Sequence, residues 1–278
     1  MAITPHATPQ PDTIVLIHGL WMTPRSWEHW IGRYTQQGYR VLAPAYPGLE
    51  VEVEALRADP RPISDLTMAA VVSHFERVVG GLQTPPILMG HSQGGVVVQI
   101  LLDHGFGAAG VAIHSVPAEG VPVVPLSQIK AILPALRDPL HPDKAVPFTP
   151  AEFHYAFTNT LSEAESAKAY ERYYIPAPGR FIWGGVLANV TPGRQDTYVN
   201  FRNDDRAPLL FISGGEDHIM PASVNESNAR HYSHSKAVTE YKEFPGRSHY
   251  TVGQPGWEEV ADYALDWAVN HAASPTIA

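Results

Sequence analysis

A serine flanked by glycines is the residue in this sequence whose surroundings most clearly indicate chemistry. Ser92 lies in the hexapeptide 90–95, Gly-His-Ser-Gln-Gly-Gly, between an apolar run ending at Met89 and another beginning at Val96. This order predicts a strand, a sharp turn and a helix, with the serine at the turn. Such a turn requires glycines two residues before and after the serine, because larger side chains would collide where the chain reverses. The pattern indicates a nucleophile; the alternative is a serine that only caps the helix.

A serine nucleophile requires a histidine base and a carboxylate that orients the histidine. Asp217 follows the apolar run at 209–212, and His249 follows the strand predicted at 239–244, so both are predicted in loops at the ends of strands. The carboxyl ends of parallel strands share one edge of a sheet. We therefore expect all three side chains to meet at that edge.

The elements that must position these residues alternate along the chain. Strands that alternate with helices imply a mostly parallel sheet with helices on both faces. One of the intervening helices is predicted at 65–82, after a polar stretch that ends near residue 62. The strands are predicted at 13–17, 39–43, 87–90, 110–115, 208–213 and 239–244.

The alternation stops over residues 117–205, which are punctuated by prolines and contain only short helical segments. The predicted fold is therefore an α/β fold with a doubly wound, mostly parallel sheet of about six strands. Residues 1–116 and 206–278 are expected to form its core. Residues 117–205 are expected to form an inserted helical cap over the edge at which ligands bind.

Four blocks of this sequence resemble those of the α/β-hydrolase superfamily, and the chain is similar to a serine esterase with a cap insertion. They are His-Gly at 18–19, the serine turn at 90–95, Gly-Gly-Glu-Asp-x-x-x-Pro at 214–221 and Gly-Arg-Ser-His at 246–249. The order of serine, aspartate and histidine along the chain is also that of the superfamily. The resemblance covers nearly the whole chain outside 117–205.

The resemblance implies a role for each residue of the site. Ser92 would be the nucleophile, His249 the general base and then the general acid, and Asp217 the group that orients His249. The backbone N–H groups of Leu20 and Gln93 would form the oxyanion hole. Gln93 suits this role because it opens a helix whose amide dipoles point at developing negative charge.

Two departures from the superfamily pattern bear on these assignments. Its usual first two strands are not expected here, because the run at 13–17 already leads into the His-Gly block. Its epoxide hydrolases and haloalkane dehalogenases have aspartate in place of Ser92, so their chemistries are not expected. Glu119 remains an alternative to Asp217, since some members take their carboxylate after an earlier strand.

The region predicted as a cap is rich in aromatic residues that could line a substrate pocket. Phe153, Phe157 and Trp183 are its candidates, and Trp21 is a fourth because the oxyanion loop must approach the reacting carbonyl. The alternative is that the cap aromatics only pack the cap against the sheet, since a short helix turns one face inward.

Composition excludes several classes of function. The 278 residues carry a formal charge of −9, which argues against a nucleic-acid or membrane partner. The absence of cysteine excludes disulfides and thiolate chemistry. No apolar run reaches the ~18–20 residues that span a bilayer, and the N-terminus has no signal-peptide pattern, so a cytoplasmic protein is expected. No metal site is expected, because the histidine pairs lack a supporting carboxylate pattern.

The predicted function is hydrolysis of a small or medium apolar ester, thioester or lactone through an acyl-enzyme, with no cofactor. The expected partner is a small-molecule substrate, and a homodimer is left open. Two alternatives remain. The same triad could cleave carbon–carbon bonds or act as a cofactor-free perhydrolase, or the fold could serve as a ligand-binding protein without catalysis.

Overall fold

The structure is a computed structural model that describes residues 11–122, 125–138, 140–187 and 193–272. Apolar runs with β-branched residues form most of its strands, because such runs suit a sheet covered on both faces. The strands are β1 (Thr13–Ile17), β2 (Arg40–Leu42), β3 (Ile87–His91), β4 (Ala109–Ile113), β5 (Ala145–Val146), β6 (Ala177–Pro178), β7 (Leu209–Gly214) and β8 (Thr239–Phe244).

Six of the strands form one sheet in the order β2, β1, β3, β4, β7, β8, and each neighbouring pair is parallel. Every residue of β1, β3, β4 and β7 is buried. The predicted parallel α/β sheet of about six strands is confirmed.

Helices cover both faces of this sheet and fill the segment between β4 and β7. They are α1 (Glu28–Gln36), α2 (Val53–Ala58), α3 (Arg61–Ser64), α4 (Met68–Gly80), α5 (Gln93–Asp103), α6 (Leu126–Ile132), α7 (Pro150–Phe157), α8 (Glu163–Tyr173), α9 (Gly179–Leu187), α10 (Ala222–His231) and α11 (Trp257–His271). The residues of α5 are buried from Gln93 to Leu102, which explains why its apolar residues show no one-sided pattern. No described helix is long and apolar enough to cross a membrane.

The helix predicted at 65–82 begins later than expected. The Thr67 side chain accepts a hydrogen bond from the N–H of Ala70 and so caps α4, which starts at Met68. The polar stretch before it contains α2, and α3 lies between that stretch and α4. The first residue of α4 is therefore set by the hydroxyl cap of Thr67, and the apolar pattern did not predict it.

The described residues of 117–205 add no strand to the large sheet and contain α6 to α9, with β5 and β6 as a separate antiparallel pair. Two backbone hydrogen bonds join this segment to the carboxyl edge of the sheet. Ile175 N–H donates to Trp21 O at 3.0 Å, and Tyr250 N–H donates to Phe157 O at 2.9 Å. The division into a core and a cap with these boundaries stays a prediction.

Candidate active site

The serine turn has the strained geometry that its sequence predicts. Ser92 has φ 55° and ψ −116°, a conformation that non-glycine residues rarely adopt. A Cβ at Gly90 would lie 2.0 Å from Gly94 O, and one at Gly94 would lie 2.1 Å from Ile17 O. Larger residues at either position would thus force the backbone apart.

The interpretation of Ser92 as a simple helix cap is wrong. Within the described chain its side chain makes no capping hydrogen bond to α5. The backbone holds the turn instead, since Ser92 N–H donates to Ile113 O at 2.9 Å and Val116 N–H donates to Ser92 O at 3.0 Å. The hydroxyl is therefore not used to start the helix.

Asp217 and His249 meet as the sequence predicts. His249 Nδ1 donates to Asp217 Oδ2 at 2.7 Å, and neither side chain has any exposed surface. The other carboxylate oxygen accepts the N–H groups of Ile219 and Met220, both at 2.8 Å. His249 Nε2 is buried and has no hydrogen-bond partner among the described residues. This nitrogen is the one that a general base would use.

The loop that carries His249 packs against the serine turn. His91, the residue before Ser92, donates from Nε2 to His249 O at 2.8 Å, and the two imidazole rings lie 4.7 Å apart. The loop after β1 closes on the turn from another side, since a Cβ at Gly19 would lie 2.8 Å from Ser92 Cβ. The three predicted triad residues therefore lie at one edge of the sheet.

A second imidazole binds the same carboxylate, and the sequence analysis missed it. His114 Nδ1 donates to Asp217 Oδ2 at 2.6 Å, and its side chain is fully buried. His114 directly follows β4 at the carboxyl edge, and a histidine at that position was the signal available in the sequence. The potential metal-binding atoms of His114, Asp217 and His249 lie within 4.8 Å of one another, which the two hydrogen bonds already explain.

Burial and hydrogen bonding set the charges in this cluster. Burial by itself raises the pKa of Asp217, but attraction to His249 and hydrogen bonds from both imidazoles outweigh it and hold that pKa far below its usual range. Burial lowers the pKa of His114 and, more strongly, that of His91. Asp217 is therefore ionised near neutral pH, whereas His91 and His114 are neutral.

Backbone strain is concentrated around the same cluster. Among the described non-glycine residues, positive φ occurs at Trp21 (61°), Ser92 (55°) and His114 (48°). These residues follow β1, β3 and β4 at the carboxyl edge. Strained residues that persist in a fold often mark a functional site, because the surrounding structure must hold them in place.

The loop predicted to carry one oxyanion donor is braced by a neutral histidine. His18 Nδ1 donates to Gly19 O at 2.8 Å, and His18 Nε2 accepts the N–H of Tyr46 at 3.3 Å. Burial lowers the pKa of His18 to about 4, so the ring keeps one donor and one acceptor. Leu20 follows in this loop. Gln93 begins α5, where backbone N–H groups have no partner within the helix.

Two of the predicted pocket residues lie beside the cluster. Trp21 stacks on Phe148 with centroids 4.5 Å apart, and Phe157 meets the His249 ring edge-on at 4.9 Å. Trp21 and Phe157 also contact each other, at 6.0 Å. These contacts place aromatic surface next to the histidine.

Phe157 separates a third pocket candidate, Phe153, from the cluster. Phe153 is fully buried and stacks on Phe157 at 4.9 Å, so it packs within the segment 117–205. Trp183 lies half-buried on α9, and its place in a pocket stays a prediction. The alternative carboxylate, Glu119, accepts the backbone N–H of Gln195 at 2.7 Å and is not the carboxylate bound to His249.

Comparisons with known proteins agree with this architecture. The sequence model of the Alpha/beta hydrolase family matches residues 14–263, and the chain belongs to that family. A search of curated proteins gave no significant match.

Solved structures share the fold at low sequence identity. A monoacylglycerol lipase from Paleococcus ferrophilus is 19% identical with a TM-score of 0.64, and the match covers 95% of this chain and 96% of that one. An extracellular alpha/beta-hydrolase from Paenibacillus is 19% identical with a TM-score of 0.67, covering 93% and 99%. A thermophilic esterase from Thermogutta terrifontis is 19% identical with a TM-score of 0.62, covering 96% and 92%.

Proposed function

We propose that the protein is a serine hydrolase that cleaves small or medium apolar esters, thioesters or lactones through an acyl-enzyme. The observation that carries the proposal is the hydrogen bond from His249 to the ionised Asp217, in a loop that packs against the serine turn. It leaves His249 Nε2 without a partner among the described residues. A buried base with a fixed orientation and a nucleophile on a sharp turn are the parts that acyl transfer requires.

In this reaction His249 Nε2 takes the Ser92 hydroxyl proton as Oγ attacks the substrate carbonyl. The N–H groups of Leu20 and Gln93 donate to the resulting oxyanion, where each such donor is worth about 3–4 kcal/mol. The imidazolium then gives its proton to the leaving oxygen or sulfur, and the bond to the leaving group breaks. His249 next takes a proton from a water molecule, whose oxygen bonds to the acyl carbonyl carbon. The bond from that carbon to Ser92 Oγ then breaks, and the imidazolium returns the proton to Oγ as the acid leaves. Asp217 stays ionised throughout.

The enclosure of the site supports a substrate of limited size. Ser92 is 3% exposed, and the ring of Phe157, from the segment 117–205, lies against His249. The indole N–H of Trp21 is buried without an acceptor among the described residues, so it is available to a polar atom of the substrate. Mostly apolar walls with a few polar anchors are typical of small-molecule sites.

The solved structures that share this fold support the proposal that the bond cleaved is an ester or a thioester. They include a monoacylglycerol lipase, a thermophilic esterase, a pyrethroid hydrolase and a thioesterase domain. These substrates are properties of those proteins. For this chain they support ester or thioester hydrolysis ahead of carbon–carbon bond cleavage.

A panel of substrates tests the proposal. We expect kcat/KM on p-nitrophenyl esters, from acetate to palmitate, to peak at short or medium chains, because Ser92 is buried and an aromatic ring lies against His249. A peak at palmitate with activation at an oil–water interface would contradict the size limit. Lactones, thioesters and diketones belong in the same panel. Turnover of a diketone without turnover of any ester, thioester or lactone would contradict the reaction class.

A further inference from the structure

We propose that His114 is a positioning residue, which sets the pH dependence of the triad by sharing Asp217 Oδ2 with His249. The kinetic consequence rests on the proposed function, whereas the hydrogen bond and its tautomer do not. The two imidazoles donate to this single oxygen at 2.6 and 2.7 Å, so neither can change its hydrogen bond without affecting the other.

The fold holds His114 in place for this contact. The backbone N–H of His114 donates to Ile212 O at 2.7 Å, which fixes His114 against β7. Its φ of 48° is a strained backbone conformation that sets the direction of the side chain. A Cβ at position 214 would lie 2.6 Å from His114 Cε1, so Gly214 leaves the space that the ring fills. Histidine is among the residues that tolerate this backbone region better than most.

The protonation of His114 follows from its partners. Nδ1 must carry a proton, since it faces a carboxylate oxygen. Nε2 is buried and has no partner among the described residues, so a proton there would leave a charged donor unsatisfied. His114 is therefore a neutral imidazole that always donates to Asp217 and never competes with His249 for a proton.

The shared oxygen changes how strongly Asp217 stabilises a protonated His249. The hydrogen bond from His114 partly neutralises the negative charge on Asp217 Oδ2. The carboxylate therefore stabilises the protonated form of His249 less than it would without His114. The other groups around the pair are His91 on β3, which is neutral, and Arg247 in the loop after β8, whose guanidinium donates to Pro255 O. Their charges are the same whether or not His114 donates.

Two substitutions distinguish the effect of the His114 hydrogen bond from the effect of its ring. His114→Asn keeps an N–H near the position of Nδ1 and tolerates positive φ, whereas His114→Phe keeps a ring but removes the donor. We expect the acid limb of the kcat/KM profile on p-nitrophenyl acetate to move up by about 0.5–1 pH unit in His114→Phe. In His114→Asn it should stay within about 0.2 unit of the unmodified protein.

A purely structural role would give a different result. It would lower kcat/KM by the same factor at every pH and leave the acid limb where it is. That result in a folded His114→Phe protein, or an equal shift of the limb in His114→Asn, would overturn the proposal. Thermal unfolding of each variant shows whether the protein is folded.

Nuclear magnetic resonance tests the tautomer in the unmodified protein and needs no turnover. In ¹⁵N-histidine-labelled protein, long-range ¹H–¹⁵N spectra should show His114 as a neutral ring protonated at Nδ1 from pH 5 to 9. A ring that titrates within this range, or that carries its proton on Nε2, would overturn the proposal even if His114→Phe does not fold. Because this readout is independent of ester hydrolysis, its failure is distinguishable from failure of the proposed function.

Discussion

At the scale of single residues, the site is organised around one carboxylate. Asp217 accepts two backbone N–H groups at one oxygen and two imidazole N–H groups at the other. A carboxylate with this many donors remains ionised although it is buried. It can therefore orient His249 and stabilise its protonated form, but it does not take up the proton itself.

Replacing each of the two candidate carboxylates distinguishes them. Asp217→Asn should lower kcat by about 10³–10⁴, because an amide can hold the histidine in the wrong tautomer. Glu119→Gln, the matched control, should leave kcat within about twofold, since Glu119 binds a backbone N–H and not His249. Steady-state kinetics on one ester measures both. Equal losses in the two variants, or the larger loss in Glu119→Gln, would contradict the assignment.

At the scale of elements, the serine turn depends on close approach of backbone to backbone. A Cβ at Gly94 would lie 2.1 Å from Ile17 O, whereas one at Gly32 on α1 would meet nothing within 4 Å. Gly94→Ala should therefore lower the free energy of unfolding by more than about 2 kcal/mol and reduce kcat/KM. Gly32→Ala should instead stabilise the protein by about 0.5–1 kcal/mol, because alanine favours the helix.

Urea unfolding and ester kinetics measure these effects. A Gly94→Ala protein with unchanged stability and activity would show that the turn does not need its glycine. A loss in Gly32→Ala comparable to that in Gly94→Ala would show that the effect is not specific to the turn.

The elements also show what can be predicted from sequence. The strands β1, β3 and β7 were predicted because each is buried on both faces and so appears as a continuous apolar run. Asp217 was predicted because it follows such a strand, and His249 because its loop follows β8, the last strand of the sheet. The start of α4 was not, since it depends on one hydroxyl, that of Thr67.

His114 could not be assigned a role in the same way. Its function depends on which atoms of Asp217 face it across the sheet, at a separation of 103 residues along the chain. Periodicity describes local structure and contains no information about such a pairing. The sequence also did not predict that Phe153 packs behind Phe157. Both phenylalanines lie on α7, and only the tertiary structure shows which ring faces the site.

At the scale of the whole molecule, three buried neutral histidines link stability to pH. Burial lowers the pKa of His18 to about 4 and that of His91 and His114 below the usual value. In the unfolded chain these rings take up protons below pH ~6.5, whereas in the folded protein they do not. Above that pH the three rings are neutral in both states and do not favour unfolding. As the pH falls, proton binding to the unfolded chain lowers the free energy of unfolding.

We expect the free energy of unfolding to decrease between pH 7.5 and 5.5, by about 1 kcal/mol from His18 and further from His91 and His114. Urea unfolding at both pH values measures the difference. In His18→Asn, which removes one of the three rings, the difference should shrink by about 1 kcal/mol. Stability that stays constant or rises over this range would contradict the protonation states derived for the site.

The most direct test of the central claim is covalent labelling of Ser92. A fluorophosphonate reacts with an activated serine, and intact mass spectrometry with peptide mapping locates the adduct. The account predicts one adduct, on Ser92, and the same adduct in Ser227→Ala, whose serine lies on α10 away from the cluster. Ser92→Ala should gain no mass. An unlabelled folded protein, or an equal adduct in Ser92→Ala, would contradict the assignment of Ser92 as the nucleophile.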